Sequence, residues 1–190
     1  MTTPFTERLL RLFRDIHPLD RVPRAGYLLR GVTEPESVAA HSHFLALLAL
    51  CFIEEHPGRW DSDTVLAMAL VHDLSEARLM DIPMPVADTH LRGAKRDAEQ
   101  AIFGELFSGF PPRFNLLHHQ FNEAVTPEAR LLRGLDKAQM MLKILGYEAE
   151  HRGRLDEFWT NPANFNDYGV EEVSELFDAL CVRAGKPRPR

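Results

Sequence analysis

Residues 61–76 read Asp-Ser-Asp-Thr-Val-Leu-Ala-Met-Ala-Leu-Val-His-Asp-Leu-Ser-Glu. Asp61 or Asp63 offers a helix start, and the apolar residues that follow recur at helical rather than strand spacing. At 100° per residue, Val65, His72 and Glu76 project within about 40° of one another, and Asp73 lies one residue round from His72. The side of this helix expected to face a core therefore carries an imidazole and carboxyl groups. Burying such groups uncompensated costs several kcal/mol each, so the pattern asks for a chemical explanation.

The segments on either side have the same character. Ser37 is a good N-cap for a helix that continues to Glu55 and ends before Pro57. Its stripe of Val38, His41, Leu45, Leu48 and Phe52 puts a second imidazole on a buried face. Further on, Thr126-Pro127 reads as N-cap and first helical position of a long helix to about Glu150, with Asp136 in its middle. Helices are also expected over Thr6–Ile16, Leu91–Phe107, Arg113–Ala124 and Val170–Ala184. The first would bury Leu9, Leu10, Leu12, Phe13 and Ile16. Leu19–Glu36, with Pro23, Gly26, Gly31 and Pro35, reads as a structured loop or short hairpin, and Met80–His90, with Pro83 and Pro85, as a loop. Phe103, Phe107, Phe110, Phe114 and Phe121 read as core. The expectation is a single-domain all-α helical bundle over residues 1–184, with 185–190 a frayed basic tail.

Composition narrows the function classes. The chain has 190 residues, 28 acidic and 22 basic, for a formal charge of −6. That balance argues against a surface built to neutralise a nucleic acid polymer, but not against a small phosphorylated ligand. The two cysteines, Cys51 and Cys181, fall in apolar helical patterns and read as core thiols of a reducing compartment. Apolar runs fall short of the roughly 20 residues of a membrane span. The opening Met-Thr-Thr-Pro-Phe-Thr-Glu lacks the layout of a signal peptide. A soluble, cytoplasmic protein without a membrane partner is expected.

His41, His72, Asp73 and Asp136 stand on three separate helices. Two imidazoles and two carboxylates are a nitrogen–oxygen donor set for one borderline or hard divalent ion, among Mn, Co, Fe, Mg and Zn. Facing helices of a bundle can converge on such a site. Each residue also has a plain structural reading: His41 as a hydrogen-bonded core residue, Asp136 paired with Lys137 or Arg133, Glu76 paired with Arg78, Asp81 as a loop cap. One ion accounts for them jointly.

The order His…His-Asp…Asp resembles the signature of the HD-domain phosphohydrolases. Around it, Arg21-Val22-Pro23-Arg24, then Pro35-Glu36-Ser37-Val38-Ala39-Ala40-His41, look like the N-terminal motif of the family's 5′-deoxynucleotidases. His72-Asp73-Leu74-Ser75-Glu76 with Asp81-Ile82-Pro83, and Leu135-Asp136-Lys137, are similar to their central and closing motifs. Lys95 and Glu99 fit an intervening helix. The resemblance covers about residues 8 to 180.

It implies a metal-dependent phosphomonoesterase acting on deoxyribonucleoside 5′-monophosphates. His41, His72, Asp73 and Asp136 would hold the metal, and Glu76 would be the general acid/base. Asp81 would contact the sugar, with Arg21 and Lys95 near the substrate; Arg92 and Arg96 could assist. Family members are commonly oligomers, so a homo-oligomer, with a dimer favoured, is expected. The competing expectations are a phosphodiesterase or pyrophosphohydrolase, with His90, His118 and His119 serving a second ion, and a non-catalytic nucleotide-binding module.

Overall fold

The computed structural model of the protein describes residues 3–83, 86–91 and 93–189, so the readings at Pro85, Arg92 and Arg190 lie outside it. Ten α-helices are described: α1 (Phe5–Ile16), α2 (Ala25–Leu28), α3 (Val38–Glu55), α4 (Ser62–Val71), α5 (Glu76–Leu79), α6 (Gly93–Leu106), α7 (Arg113–Glu123), α8 (Pro127–Ala149), α9 (Asp156–Thr160) and α10 (Glu171–Ala184). Short 3₁₀ turns at His17–Asp20 and Pro162–Phe165 and a π turn at Ala87–Leu91 complete them. Among the described residues the extended pairing is one antiparallel bridge, Pro23 to Ser37. The fold is all-α.

Helix α8 is the hub, packed against α3, α4, α7 and α10. It starts where Thr126 Oγ1 accepts the Ala129 amide at 3.2 Å. Leu131, Leu132, Leu135, Ala138, Met141 and Ile144 are fully buried along it, and each such leucine or isoleucine contributes about 1.5–3 kcal/mol through the hydrophobic effect. A Cβ on Gly134 would sit 3.0 Å from Val173 Cγ1 and 3.2 Å from the Asp167 carbonyl. Glycine there lets α10 approach α8 closely. Helix α3 is capped as expected, Ser37 Oγ accepting the Ala40 amide at 3.1 Å. Phenylalanines of α6, the turn after it and α7 stack on one another, Phe103 on Phe107 at 4.6 Å and Phe107 on Phe114 at 4.4 Å.

Five expectations are corrected. Helix α4 stops at Val71 rather than running through Glu76. Residues 72–75 form tighter turns, in which the Glu76 amide bonds the Asp73 carbonyl at 3.0 Å and the Ala77 amide the Leu74 carbonyl at 3.2 Å. Only Leu12 of α1 is buried, while Leu10 and Phe13 are 67% and 62% exposed. The tail is not frayed, because Lys186 Nζ meets Glu148 at 3.0 Å and Asp156 at 2.8 Å, and Arg188 bonds Ser174, Asp178, Phe165 and Asp167. Cys51 is exposed, and Cys181 alone of the two is a core thiol. Finally, α3 is long and apolar enough to match a membrane span, with 18 residues and a mean hydropathy of 1.4. In this fold it packs between α4 and α8.

Candidate metal centre and its pocket

The fold brings together the four residues expected to share an ion. His41 lies one turn inside α3, His72 and Asp73 follow the end of α4, and Asp136 sits mid-α8. His41, His72 and Asp73 each offer a ligand atom within 4.8 Å of the others. Asp136 adjoins them, its Oδ1 3.1 Å from His41 Nε2. His72 Nε2 is 3.0 Å from Asp73 Oδ2, and His41 Nε2 is 3.7 Å from the same oxygen. Donors at right angles about an ion bound at roughly 2.1 Å stand about 3.0 Å apart, so these separations fit a shared cation.

The hydrogen bonding points the same way. His72 Nδ1 is 2.9 Å from the Ala69 carbonyl, which can only accept. The ring proton is therefore on Nδ1, and the Nε2 lone pair faces the site. The Nε2 atoms of His41 and His72 are both buried without a hydrogen-bond partner, despite the carboxylate oxygens nearby. A lone pair facing a carboxylate at 3.0 Å needs positive charge between them. Without an ion, protons supply it. Burial opposes the imidazolium of His72, yet the carboxylates of Asp73 and Asp136 raise its pKa overall. Burial likewise opposes the Asp73 and Asp136 carboxylates, but both lie below the usual range: Asp73 through His72, His41 and Arg24, Asp136 through His41, Lys137 and Arg24.

The centre opens into a cavity of about 390 Å³. Glu76 lines it, 3% exposed, with Oε2 buried and unpartnered. Burial first, then Asp73 and Asp81, push its pKa up to about 10. Lys95 Nζ stands 3.8 Å from Glu76 Oε1 and 2.7 Å from Glu99 Oε1. Asp81 also lines the cavity, and its Oδ2 accepts the Ala25 amide at 2.6 Å, capping α2.

Arg21 is the expected site residue that the fold leaves out. Its side chain is 70% exposed and pairs with Asp20, because it lies at the end of a surface 3₁₀ turn. Arg24 takes the place inside, lining the cavity with Nη1 3.6 Å from Asp73 Oδ2. Burial opposes its charge, but Asp81, Asp73 and Asp136 hold it protonated. A signal was present: in extended chain, alternate residues share a face, so Arg24 goes with the buried Val22 and Arg21 does not.

Sequence reasoning also missed the outer wall, where Phe158, Asn161, Asn164, Asn166 and Tyr168 line the cavity. Arg133 ties that wall to α8, its Nη2 3.0 Å from Tyr168 Oη and its guanidinium over Phe121. The residues expected to serve a second ion do not assemble. His118 is stacked on Phe103 at 4.2 Å, and burial lowers its pKa to about 4. His90 and His119 are exposed. Among the described residues they join no metal-binding group.

A family profile described as HD domain matches residues 16–173. The 5′-deoxynucleotidase HDDC2 of Homo sapiens is 32% identical over 176 residues, spanning 88% of this chain and 84% of that protein. The crystal structure of the PH0347 protein from Pyrococcus horikoshii OT3 superposes with a TM-score of 0.75 at 34% identity, covering 95% of this chain and 99% of that one. A structure from Magnetospirillum magnetotacticum described as a predicted metal-dependent phosphohydrolase shares the fold, with a TM-score of 0.72 at 20% identity over 95% of this chain and 97% of that one.

Proposed function

The chain belongs to the HD-domain family of metal-dependent phosphohydrolases, and from that premise we propose that it removes the 5′-phosphate from deoxyribonucleoside monophosphates. The observation that carries this reading is a pair of buried, unpartnered imidazole nitrogens set among carboxylates, beside a cavity lined by His72, Arg24, Lys95 and Glu76. Relatives named 5′-deoxynucleotidase at about 30% identity support the choice of substrate.

His41, His72, Asp73 and Asp136 would hold one divalent ion. When bound, the ion lowers the pKa of water and polarises the phosphoryl oxygens. Arg24 and Lys95 supply the remaining positive charge along the cavity wall and orient the phosphate by charge-assisted hydrogen bonds. Glu76, whose burial disfavours the charged form, gives its proton to the departing 5′-oxygen. Asp81 has one oxygen committed to the Ala25 amide, which fixes the carboxylate in place. Its other oxygen would accept from the sugar 3′-hydroxyl, and a ribose 2′-hydroxyl without room or a partner there would be rejected.

The test is phosphate release from a panel of ribo- and deoxyribonucleotides by purified protein with Mn, Co or Mg. Release from deoxyribonucleoside monophosphates ahead of ribonucleotides is expected. Turnover confined to diesters or polyphosphates, or none with any ion, contradicts the reading.

A further inference from the structure

Gln139 lies one turn beyond Asp136 on α8 and is 4% exposed, and Glu36, just before α3, is 7% exposed. Gln139 Oε1 stands 2.7 Å from His41 Nδ1, while its Nε2 stands 3.3 and 3.2 Å from the two oxygens of Glu36. Lys143 Nζ is 3.6 Å from Glu36 Oε2. The Glu36 main-chain amide donates to Tyr147 Oη at 2.8 Å, which fixes the residue's position.

Donor and acceptor chemistry gives this row a direction. A carboxylate only accepts, so the Gln139 NH₂ must face Glu36. Its carbonyl oxygen must then face His41. That oxygen also only accepts, so His41 must carry its proton on Nδ1. The lone pair is left on Nε2, the atom 3.1 Å from Asp136 and 3.7 Å from Asp73. We infer that Glu36 and Gln139 are positioning residues: a carboxylate–amide relay that sets the tautomer and ring orientation of His41, so that Nε2 rather than Nδ1 is offered to the site. His72 reaches the same tautomer through a main-chain carbonyl. His41 depends instead on two side chains from different parts of the chain.

Glu36→Gln keeps size and shape but lets residue 36 present an NH₂ group. Gln139 can then turn over, and its own NH₂ stabilises His41 with the proton on Nε2. The experiment is imidazole ¹⁵N NMR on the full metal-free chain above pH 8, for wild type and Glu36→Gln, with Mn(II) titrations of both. The relay predicts a proton on His41 Nδ1 in wild type, whether or not Nε2 also carries one, a large population with Nδ1 bare in the variant, and about 10- to 100-fold weaker Mn(II) binding, the usual cost of losing an outer partner of a ligating histidine. A wild-type His41 with no proton on Nδ1, or a variant with unchanged Nδ1 protonation and Mn(II) affinity, overturns it. Only the Mn(II) arm rests on the proposed metal centre. A wild-type chain that shows the Nδ1–H tautomer yet binds no Mn(II) would sustain the relay and defeat the metal centre. Because the wild-type spectrum is decisive by itself, misfolding of the variant would not leave the relay undecided.

Discussion

Glu76 is a carboxyl with only 3% of its surface exposed, beside the carboxylates of the site. In the metal-free chain its pKa is pushed up to about 10, against an ordinary 4.5, because burial and the Asp73 and Asp81 carboxylates disfavour its charge. A carboxyl with a raised folded value binds its proton more tightly in the folded state. Its contribution is therefore fully present below about 4.5 and is lost as pH rises toward 10. Urea denaturation of metal-free protein at pH 5, 7 and 9 should show Glu76→Gln gaining on wild type as pH rises; parallel profiles would mean that the carboxyl is not held protonated. The same variant should keep its metal yet hydrolyse substrate about 10²–10⁴-fold more slowly, and a normal rate would remove Glu76 from the chemistry. Asp81→Asn retains an oxygen for the Ala25 amide while losing the charge. It should raise ribonucleotide turnover relative to deoxyribonucleotide turnover, and an unchanged ratio would exclude Asp81 as the sugar gate. At this scale the sequence was informative wherever a polar side chain interrupted an apolar helical face, as at His41, His72 and Asp136. It misled at Arg21, because the motif was read without the alternation that sets Arg24, with Val22, on the inward side.

At the scale of the element, the site depends on where helices start and stop. Ser37 caps α3 one turn before His41, so Ser37→Ala should cost about 0.5–2 kcal/mol of stability, measurable by denaturation. A loss near zero would show the cap to be redundant with the neighbouring Pro23–Ser37 bridge. The caps at Ser37 and Thr126 were legible because a side-chain oxygen three residues before a free amide is a local feature. The break after Val71 was not. A regular 3.6-residue period continues through His72 and Glu76, and the tightened turn at 72–75 is a product of packing rather than of propensity. That turn still delivers Glu76 to the cavity, since residues three apart share a face in 3₁₀ geometry, and Asp73 and Glu76 are such a pair. Helix α1 failed differently. Its apolar residues are too many for the one face it buries, leaving Leu10 and Phe13 outside.

At the scale of the molecule, the cavity has an inner wall from the bundle and an outer wall from residues 156–168, and the second is held from behind by Lys186 and Arg188. No periodicity marks that arrangement; it consists of long-range polar contacts from a segment that reads as a loose basic tail. Arg188→Ala should cost roughly 1.5–3 kcal/mol, the range for hydrogen bonds to charged groups. It should also raise KM while sparing kcat, the pattern of lost uniform binding. An unchanged KM with lowered stability would confine Arg188 to a structural role. The all-α class and the convergence of three helical segments were legible, because buried polar residues on separate helices had to meet something in common. That convergence is the centre of the account, and elemental analysis of the purified chain tests it most directly. One divalent ion per chain is predicted in wild type and in Glu76→Gln, and none in His72→Ala or Asp136→Ala. A wild-type chain that takes up no ion, or full occupancy surviving in both of those alanine variants, would contradict it.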